Sequence, residues 1–285
     1  MDSQKKHPQE FSFEFFPPKT EQGLEKLKTT CEQLNQLKPK FFSVTFGAGG
    51  STRDRTFDTV VNFQKTYHTD FAPHISCIAS TKAELTELLH AYVKNNIRRI
   101  VVLRGDRPSG VMSSGEMKHA NELVAFIREV TGDHFFIEVA AYPEFHPESR
   151  TPETEIRHFK AKVGAGANSA LTQYFYNPDS YFHFVDLCEK AGIQIPIVPG
   201  IMPITNFEQL ARFSDGCGTE IPRWIRKSLE AYGDDLTSIR AFGLDVVTNL
   251  CARLLEQGAP GLHFYTMNQV EPTLSLWNRL DLSSL

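Results

Sequence analysis

Eight short runs of β-branched and aromatic residues alternate with longer amphipathic stretches along the 285 residues of the chain. The candidate strands are 11–16, 41–46, 72–78, 98–104, 135–142, 169–176, 196–202 and 262–267. They begin roughly 25 to 37 residues apart, except that the last step is longer and carries additional helical patterns. Eight such units predict a closed (β/α)8 TIM barrel with extra helices between the seventh and eighth strands. An open doubly wound sheet is the alternative.

No linker, low-complexity segment or charge block divides the chain, which predicts a single domain over residues 1–285. The polar residues 1–10 are expected to form a disordered N-terminal tail. A net charge of −4 provides no general attraction for nucleic acid, and the absence of a long apolar run argues against a membrane span. Five widely spaced cysteines favour reduced thiols in a cytoplasmic protein without a metal site.

Glu14 is the most unusual residue of the first candidate strand, because it stands among the phenylalanines of FSFEFF. An ionised carboxylate in apolar surroundings is destabilised unless it is paired or used in chemistry. Side chains alternate across a strand, so Phe11, Phe13 and Phe15 share one face and Glu14 belongs to the other. In a barrel this parity directs the phenylalanines to the helices and Glu14 to the lumen.

Most of the other strands also carry polar residues of one parity toward their C-terminal ends. These residues are Ser43 and Thr45, His74 and Ser76, Glu138 and Tyr142, Gln173, His263 and Tyr265, with Arg104 and Asp106 continuing the Ile100/Val102 row. A single polar residue within a strand is more often satisfied by a neighbour than functional. Barrel enzymes place their chemistry at the C-terminal ends of the strands. Several polar residues converging there predict an active site.

The motifs at all eight strands resemble those of the methylenetetrahydrofolate reductase family. They are FSFEFFPPK, FFSVTFGA, APHISC, VVLRGD, VAAYPEFHPE, TQYFYN, PGIMP and HFYTMN, and the resemblance extends from Phe11 to about Asn268. It implies the short bacterial type of enzyme, without the eukaryotic regulatory domain. Such an enzyme reduces 5,10-methylenetetrahydrofolate to 5-methyltetrahydrofolate for methionine synthesis, with bound FAD transferring hydride from NADH or NADPH. The sequence does not distinguish the two nicotinamides.

The resemblance assigns catalytic roles to two carboxylates. Glu14 matches the family's general acid, which protonates the leaving nitrogen when the folate ring opens, and its apolar strand is expected to raise its pKa. Asp106 matches the residue that contacts the pterin near the flavin, where a carboxylate accepts hydrogen bonds from the amino-pyrimidine edge.

The resemblance also implies the residues that contact FAD. They are Thr45, Phe46, Ala48, His74, Leu103, Arg104, Gly105, Asp106, Ala120, Tyr142, His146, Glu155, His158 and Lys162. Arg104 and Lys162 suit the pyrophosphate. No GxGxxG motif is present, so FAD would not be held in the Rossmann manner. Glu155 and His158 depart from the family pattern, which has Asp and Asn at these positions.

For the substrates, the resemblance implies contacts from Asp106, Gln173, Gln209, Phe213 and Gln269. The amide of Gln173 both donates and accepts hydrogen bonds, which suits a site shared by folate and nicotinamide. Phe213 matches an aromatic residue that stacks on the bound substrate. Gln269 stands where the family pattern has Arg, and therefore removes a cation that could meet the glutamate carboxylates of the folate.

Two other functional classes remain open at this point. A folate-binding barrel methyltransferase would contain no flavin, and a non-catalytic paralogue would not need Glu14, Asp106 and Gln173. For the reductase, the expected partners are small-molecule substrates and further copies of the chain in a homo-oligomer, with neither nucleic acid nor membrane.

Overall fold

A computed structural model of the protein describes residues 1–46, 53–78, 80–105 and 115–284. The strands are β1 (Glu10–Phe15), β2 (Phe41–Val44), β3 (Asp70–Ser76), β4 (Arg99–Leu103), β5 (Phe136–Ala141), β6 (Ser169–Thr172), β7 (Ile197–Val198), β8 (Gly200–Ile201) and β9 (Gly261–Tyr265). The helices are α1 (Glu21–Asn35), α2 (Arg53–Tyr67), α3 (Lys82–Lys94), α4 (Ala120–Thr131), α5 (Pro152–Gly164), α6 (Pro178–Lys190), α7 (Phe207–Cys217), α8 (Arg223–Tyr232), α9 (Leu236–Glu256) and α10 (Thr273–Arg279).

The strands form one parallel sheet in the order β7-β6-β5-β4-β3-β2-β1-β9-β8. Its two ends, β7 and β8, are neighbours in the sequence on either side of Pro199, so the sheet closes into a barrel. Proline has no N–H for the ladder, which explains why the predicted seventh strand, 196–202, is divided in two. The predicted (β/α)8 barrel is confirmed. The additional helices α7, α8 and α9 lie between β8 and β9, as expected.

The apolar residues of the barrel form two layers. Phe13 and Phe15 are fully buried in the layer between strands and helices, where Phe15 stacks on Phe42 with ring centroids 5.1 Å apart. A smaller cluster occupies the lumen and includes Phe41 and Val101. The predicted parity of β1 is therefore confirmed: its phenylalanines stabilise the outer layer, and Glu14 belongs to the inner face.

The inner row of β4 differs from the predicted one. Val101 and Leu103 belong to the lumen cluster, whereas Ile100 and Val102 are fully buried in the outer layer. Arg104 reaches the barrel mouth because β4 ends at Leu103 and the chain then turns at Gly105, whose φ is +88°. Alternation along a strand cannot predict a side chain's direction beyond the strand's end.

The first residues also differ from the expected disordered tail. A short 3-10 helix, Gln4–Lys6, packs at the beginning of β7, and Gln4 is fully buried. The amide of Gln4 donates to the carbonyl of Ile195 (3.2 Å) and accepts from the N–H of Ile197 (2.8 Å). These bonds satisfy backbone groups next to the strand, so the segment is part of the fold. Within the described ranges, no helix has the length and apolar character needed to cross a membrane.

Candidate active site

A cavity of about 1120 Å³ opens at the carboxyl ends of the strands. The sequence-predicted residues that line it are Glu14, Thr45, Phe46, His74, Leu103, Arg104, Gly105, Ala120, Tyr142, His146, Glu155, His158, Lys162 and Gln173. These side chains come from positions spread over 160 residues of sequence. Barrel closure therefore brings together the set that the motifs indicated separately.

Glu14 is held at the centre of a polar network in the lumen. In register, it lies opposite Ser43 on β2 and Tyr265 on β9. The hydroxyl of Ser43 donates to Glu14 Oε2 at 3.3 Å, and Nε2 of His263 lies 3.5 Å from the same oxygen. His74 Nε2 is 3.2 Å from Oε2 but is not aligned for a hydrogen bond. Two imidazoles from different strands thus face one carboxylate.

The pKa of Glu14 differs in direction from the expected value. Burial raises it, but the charge of His74 and the hydrogen bond and charge of His263 outweigh burial and lower the pKa to about 2. The expectation of a raised pKa is wrong, because it considered only the apolar neighbours on β1. A carboxyl group with a pKa of about 2 is ionised at neutral pH.

Lys162 places a cationic group in the wall of the cavity. Its Nζ is buried, donates to the carbonyl oxygen of Ala140 and lies 5.7 Å from the centre of the Tyr142 ring. Burial lowers the pKa of Lys162 to about 8, against the opposing charge of Glu155. An anion next to Nζ would stabilise the charged form of this amine.

The N-terminus of α4 and the turn after β4 supply further anion-binding features. Ala120 and Asn121, in the first turn of α4, line the cavity. The side chain of the N-cap residue His119 makes no capping hydrogen bond within the described chain. Free N–H groups and the helix dipole at such an end favour anions. At Gly105, a Cβ atom would lie 2.1 Å from Ser76 Oγ, so this turn requires glycine.

The side chain of Glu155 lines the cavity and also forms hydrogen bonds within the loop after β5. Its carboxylate accepts from the Ser149 hydroxyl at 2.6 Å and from the His146 N–H at 3.3 Å, and its side chain is buried. Burial and the charge of Arg104 lower the pKa of His146. Arg104 itself forms an ion pair with Glu148. The loop after β5 is therefore held by charged groups that also face the cavity.

The family comparison agrees with this geometry. The family model of methylenetetrahydrofolate reductase matches residues 1–281 of the chain. The chain belongs to this family. The 5,10-methylenetetrahydrofolate reductase of Escherichia coli (strain K12) is 39% identical over 271 residues, which cover 95% of this chain and 90% of the relative.

Further relatives include the 5,10-methylenetetrahydrofolate reductase of Buchnera aphidicola subsp. Schizaphis graminum (strain Sg), which is 40% identical over 95% of this chain and 91% of its own. The probable methylenetetrahydrofolate reductase (NADH) of Oryza sativa subsp. japonica is 38% identical over 95% of this chain and 48% of its own. A solved structure, an uncharacterized protein from Clostridium thermocellum that binds two copies of 5-methyl-5,6,7,8-tetrahydrofolic acid, has a TM-score of 0.67 at 17% identity. That alignment covers 99% of this chain and 96% of the other, and it supports the barrel fold alone.

Five of the predicted site residues are not placed in the cavity of this reductase-family chain. Ala48 and Asp106 lie outside the described residues. Gln209, Phe213 and Gln269 are described but are not among the residues that line the cavity. Phe213 on α7 is 40% exposed, and Gln269 is exposed in the segment after β9. Their roles toward the substrates stay predictions.

The cavity also contains residues to which the resemblance assigned no site role. Arg53, at the start of α2, lines it and donates to the carbonyl oxygen of Glu84 at 2.7 Å. Tyr265 lines it as well, and its hydroxyl donates to the carbonyl oxygen of Thr172 at 2.7 Å. The parity of β9 already indicated Tyr265, whereas no sequence signal distinguished Arg53 from the other basic residues of its helix. Among the described side chains, no group of three or more His, Cys, Asp and Glu could hold a metal ion.

Proposed function

We propose that this protein is an FAD-dependent methylenetetrahydrofolate reductase. It reduces 5,10-methylenetetrahydrofolate to 5-methyltetrahydrofolate by ping-pong hydride transfer from NADH or NADPH, with Glu14 as general acid. The proposal includes a cytoplasmic location, a homo-oligomeric state and a role in methyl supply for methionine synthesis. One observation carries it: in a chain of this family, Glu14 and those predicted cofactor contacts that lie in the described residues line the same large cavity.

The described residues fit a dinucleotide cofactor. Pockets for drug-sized ligands occupy about 300–1,000 Å³, so a cavity of about 1120 Å³ has room for a ligand as large as FAD. Lys162, Arg104 and the N-terminus of α4 would hold the pyrophosphate, because they supply two cations and the backbone N–H groups of a first helical turn. When bound, FAD would accept hydride from the nicotinamide and return it to the one-carbon unit of the folate.

Glu14 lies where it could protonate the substrate. Opening of the folate's five-membered ring requires a proton on the leaving nitrogen, and a general acid must supply it within hydrogen-bond reach. Because the pKa of Glu14 is lowered to about 2, the carboxylate must gain a proton after the substrate enters. A bound substrate excludes water from the cavity and so favours the neutral form of the acid.

Gln173 would orient the substrates. Its side chain lines the cavity just beyond the end of β6, and its Oε1 accepts from the N–H of Tyr174 at 3.0 Å. The amide nitrogen of Gln173 is therefore the end that can donate to a ligand. Asp106, outside the described residues, keeps its proposed contact with the pterin.

The test begins with the absorbance spectrum of the purified protein. We expect a flavin spectrum, bleaching by NADH or NADPH, and recovery of colour when methylenetetrahydrofolate is added. A protein that stays colourless after incubation with FAD would refute the flavoenzyme and leave the flavin-free methyltransferase. Bleaching without recovery would refute the proposal that methylenetetrahydrofolate is the substrate. Comparing NADH with NADPH at equal concentration identifies the donor.

A further inference from the structure

His263 is a fully buried imidazole that the assignments above do not use. It lies on β9 beneath the cavity and is not among the described residues that line it. Its Nδ1 is 2.7 Å from the hydroxyl of Ser12, and its Nε2 faces Glu14 Oε2 at 3.5 Å. A buried histidine with a partner at each nitrogen connects two polar side chains of the lumen.

The surroundings hold the ring in one orientation. His263 stacks on Phe41, with centroids 5.9 Å apart and planes 21° apart, and meets Tyr265 edge to face at 5.4 Å. A half-turn of the imidazole about its Cβ–Cγ bond would put carbons where the nitrogens lie, and it would break the short contact with Ser12. Nε2 therefore remains directed at Glu14.

We propose that His263 is a positioning residue that holds, on Nε2, the proton that Glu14 delivers to the substrate. This inference rests on the proposed function. In the first transfer, the Nε2–H bond of the imidazolium breaks as an O–H bond forms on Glu14 Oε2. In the second, that O–H bond breaks as an N–H bond forms on the leaving nitrogen of the folate. His263 is left neutral with its proton on Nδ1, and solvent returns the missing proton after product leaves.

The hydroxyl of Ser12 allows this transfer to occur without breaking the hydrogen bonds around His263. A hydroxyl can accept from Nδ1–H both before and after the transfer, so no hydrogen bond at Nδ1 has to be broken. In the neutral product tautomer, Nε2 becomes an acceptor and can regain a proton. The two nitrogens thus have separate tasks: Nδ1 fixes the ring, and Nε2 exchanges a proton.

His74 is less suited to the same task. Its Nε2 is close to Glu14 but not aligned with it, and its side chain lines the cavity, where a bound ligand would contact it. The titratable, charged or hydroxyl groups around the Glu14–His263 pair are Ser12 on β1, Ser43 on β2, His74 on β3, Tyr265 on β9 and Glu138 on β5, which pairs with Arg99 on β4.

The decisive experiment compares His263→Gln with the unaltered protein in both half-reactions across a range of pH. The amide of glutamine can still donate a hydrogen bond toward Glu14 but cannot carry a titrating proton. We expect flavin reduction by the nicotinamide to be unchanged, and folate reduction to fall on the order of ten- to a hundredfold in kcat. KM for the folate should stay within about twofold, since His263 does not touch substrate.

The pH profile separates proton supply from simple structural support. Folate reduction by the unaltered protein should fall as pH rises, because the first transfer starts from a protonated imidazole, and His263→Gln should show a flatter profile at its lower rate. An equal loss in both half-reactions, or a parallel loss at every pH, would overturn the proposal. His134→Gln is a matched control: its ring contacts the Ile97 carbonyl at 2.9 Å, away from the cavity, so both half-reactions should persist.

A measurement without substrate distinguishes failure of this inference from failure of the proposed function. Imidazole NMR of the protein should show one ring signal that is absent in His263→Gln and that shifts in Glu14→Gln. If that coupling is present but the protein does not reduce methylenetetrahydrofolate, the proposed function fails and the His263–Glu14 proton pair stands. If reduction occurs but Glu14→Gln leaves the His263 signal unchanged, the inference fails.

Discussion

The barrel lumen holds two glutamates with opposite environments, the buried Glu138 and the half-buried Glu14. Near its amino end, Glu138 pairs with Arg99, whose guanidinium lies over the rings of Phe41 (4.6 Å) and Phe136 (4.0 Å). Near its carboxyl end, Glu14 faces the imidazoles of His74 and His263. Aromatic rings flank the guanidinium that pairs with the first carboxylate, whereas the second carboxylate lines the cavity.

The difference shows that the cation next to a carboxylate determines whether the carboxylate can exchange a proton. Burial raises the pKa of Glu138 despite the charge of Arg99, whereas the two histidines lower that of Glu14. A guanidinium never releases its proton near neutral pH, so the Arg99–Glu138 pair can only support structure. An imidazole exchanges protons in the physiological range, so the Glu14 network can support chemistry.

The largest expected effect is that of Glu14→Gln on catalysis. Removing the proposed general acid should lower the rate of folate reduction on the order of 10²- to 10⁴-fold, while flavin reduction by the nicotinamide continues. Rapid-mixing absorbance at the flavin band measures both half-reactions separately. Equal loss of both would mean that Glu14, like Glu138, serves structure alone.

Arg99→Met should instead destabilise the fold. Removing one partner of a buried ion pair lowers the free energy of unfolding by about 3–5 kcal/mol, and Arg99→Met/Glu138→Leu should restore most of it. Because a raised pKa makes the folded state hold its proton longer than the unfolded state, the Arg99→Met protein should lose stability as pH rises above about 4.5. Denaturant unfolding at several pH values checks this. An Arg99→Met protein as stable as the parent would contradict the structural role of the Arg99–Glu138 pair.

The contribution of Glu14 to stability changes with pH in the opposite direction. Its pKa is lowered from 4.5 to about 2, so its ionised form adds stability above pH 4.5, and that contribution is lost as pH falls toward 2. Acid unfolding of Glu14→Gln should therefore be less steep than that of the parent protein in this window. An identical acid transition would show that the histidines do not stabilise the carboxylate.

Lys162→Met should produce an intermediate effect, on cofactor affinity. Loss of a charged hydrogen-bond donor should weaken FAD binding on the order of tenfold to a hundredfold. In the unaltered protein, affinity should be constant below pH 8 and fall above it, as the amine loses its proton. In Lys162→Met, that dependence should disappear. Flavin fluorescence titrations measure both, and a pH dependence that survives the substitution would assign it to another group.

Gln269→Arg should have the smallest effect. The position is exposed, and exposed ion pairs contribute about 0–1 kcal/mol, so KM for a folate with a glutamate tail should fall by at most about fivefold. Thermal stability should not change. Gln269→Lys is the matched control for charge alone. A KM that does not move in either variant would show that the tail binds elsewhere.

Local sequence patterns predicted most of the fold because they reflect local physics. The eight strand segments follow from apolar runs and spacing, and the inward direction of Glu14 follows from alternation along β1. The seventh segment was too long because Pro199 interrupts the ladder, and the inner row of β4 was misassigned. The 3-10 helix at Gln4–Lys6 could not be anticipated, because its partners at Ile195 and Ile197 are distant in sequence.

The sequence alone determined the barrel, the inner face of Glu14 and fourteen of the residues that line the cavity. Tertiary structure decided the protonation state of Glu14. His74 and His263 lie 60 and 249 residues away along the chain, and only barrel closure brings them within 3.5 Å of one oxygen. The desolvation of Glu14 was visible in its phenylalanine neighbours, but the two imidazoles that outweigh it come from other strands. The pKa of a buried group depends on every charge around it, and those neighbours are known only once the chain is folded.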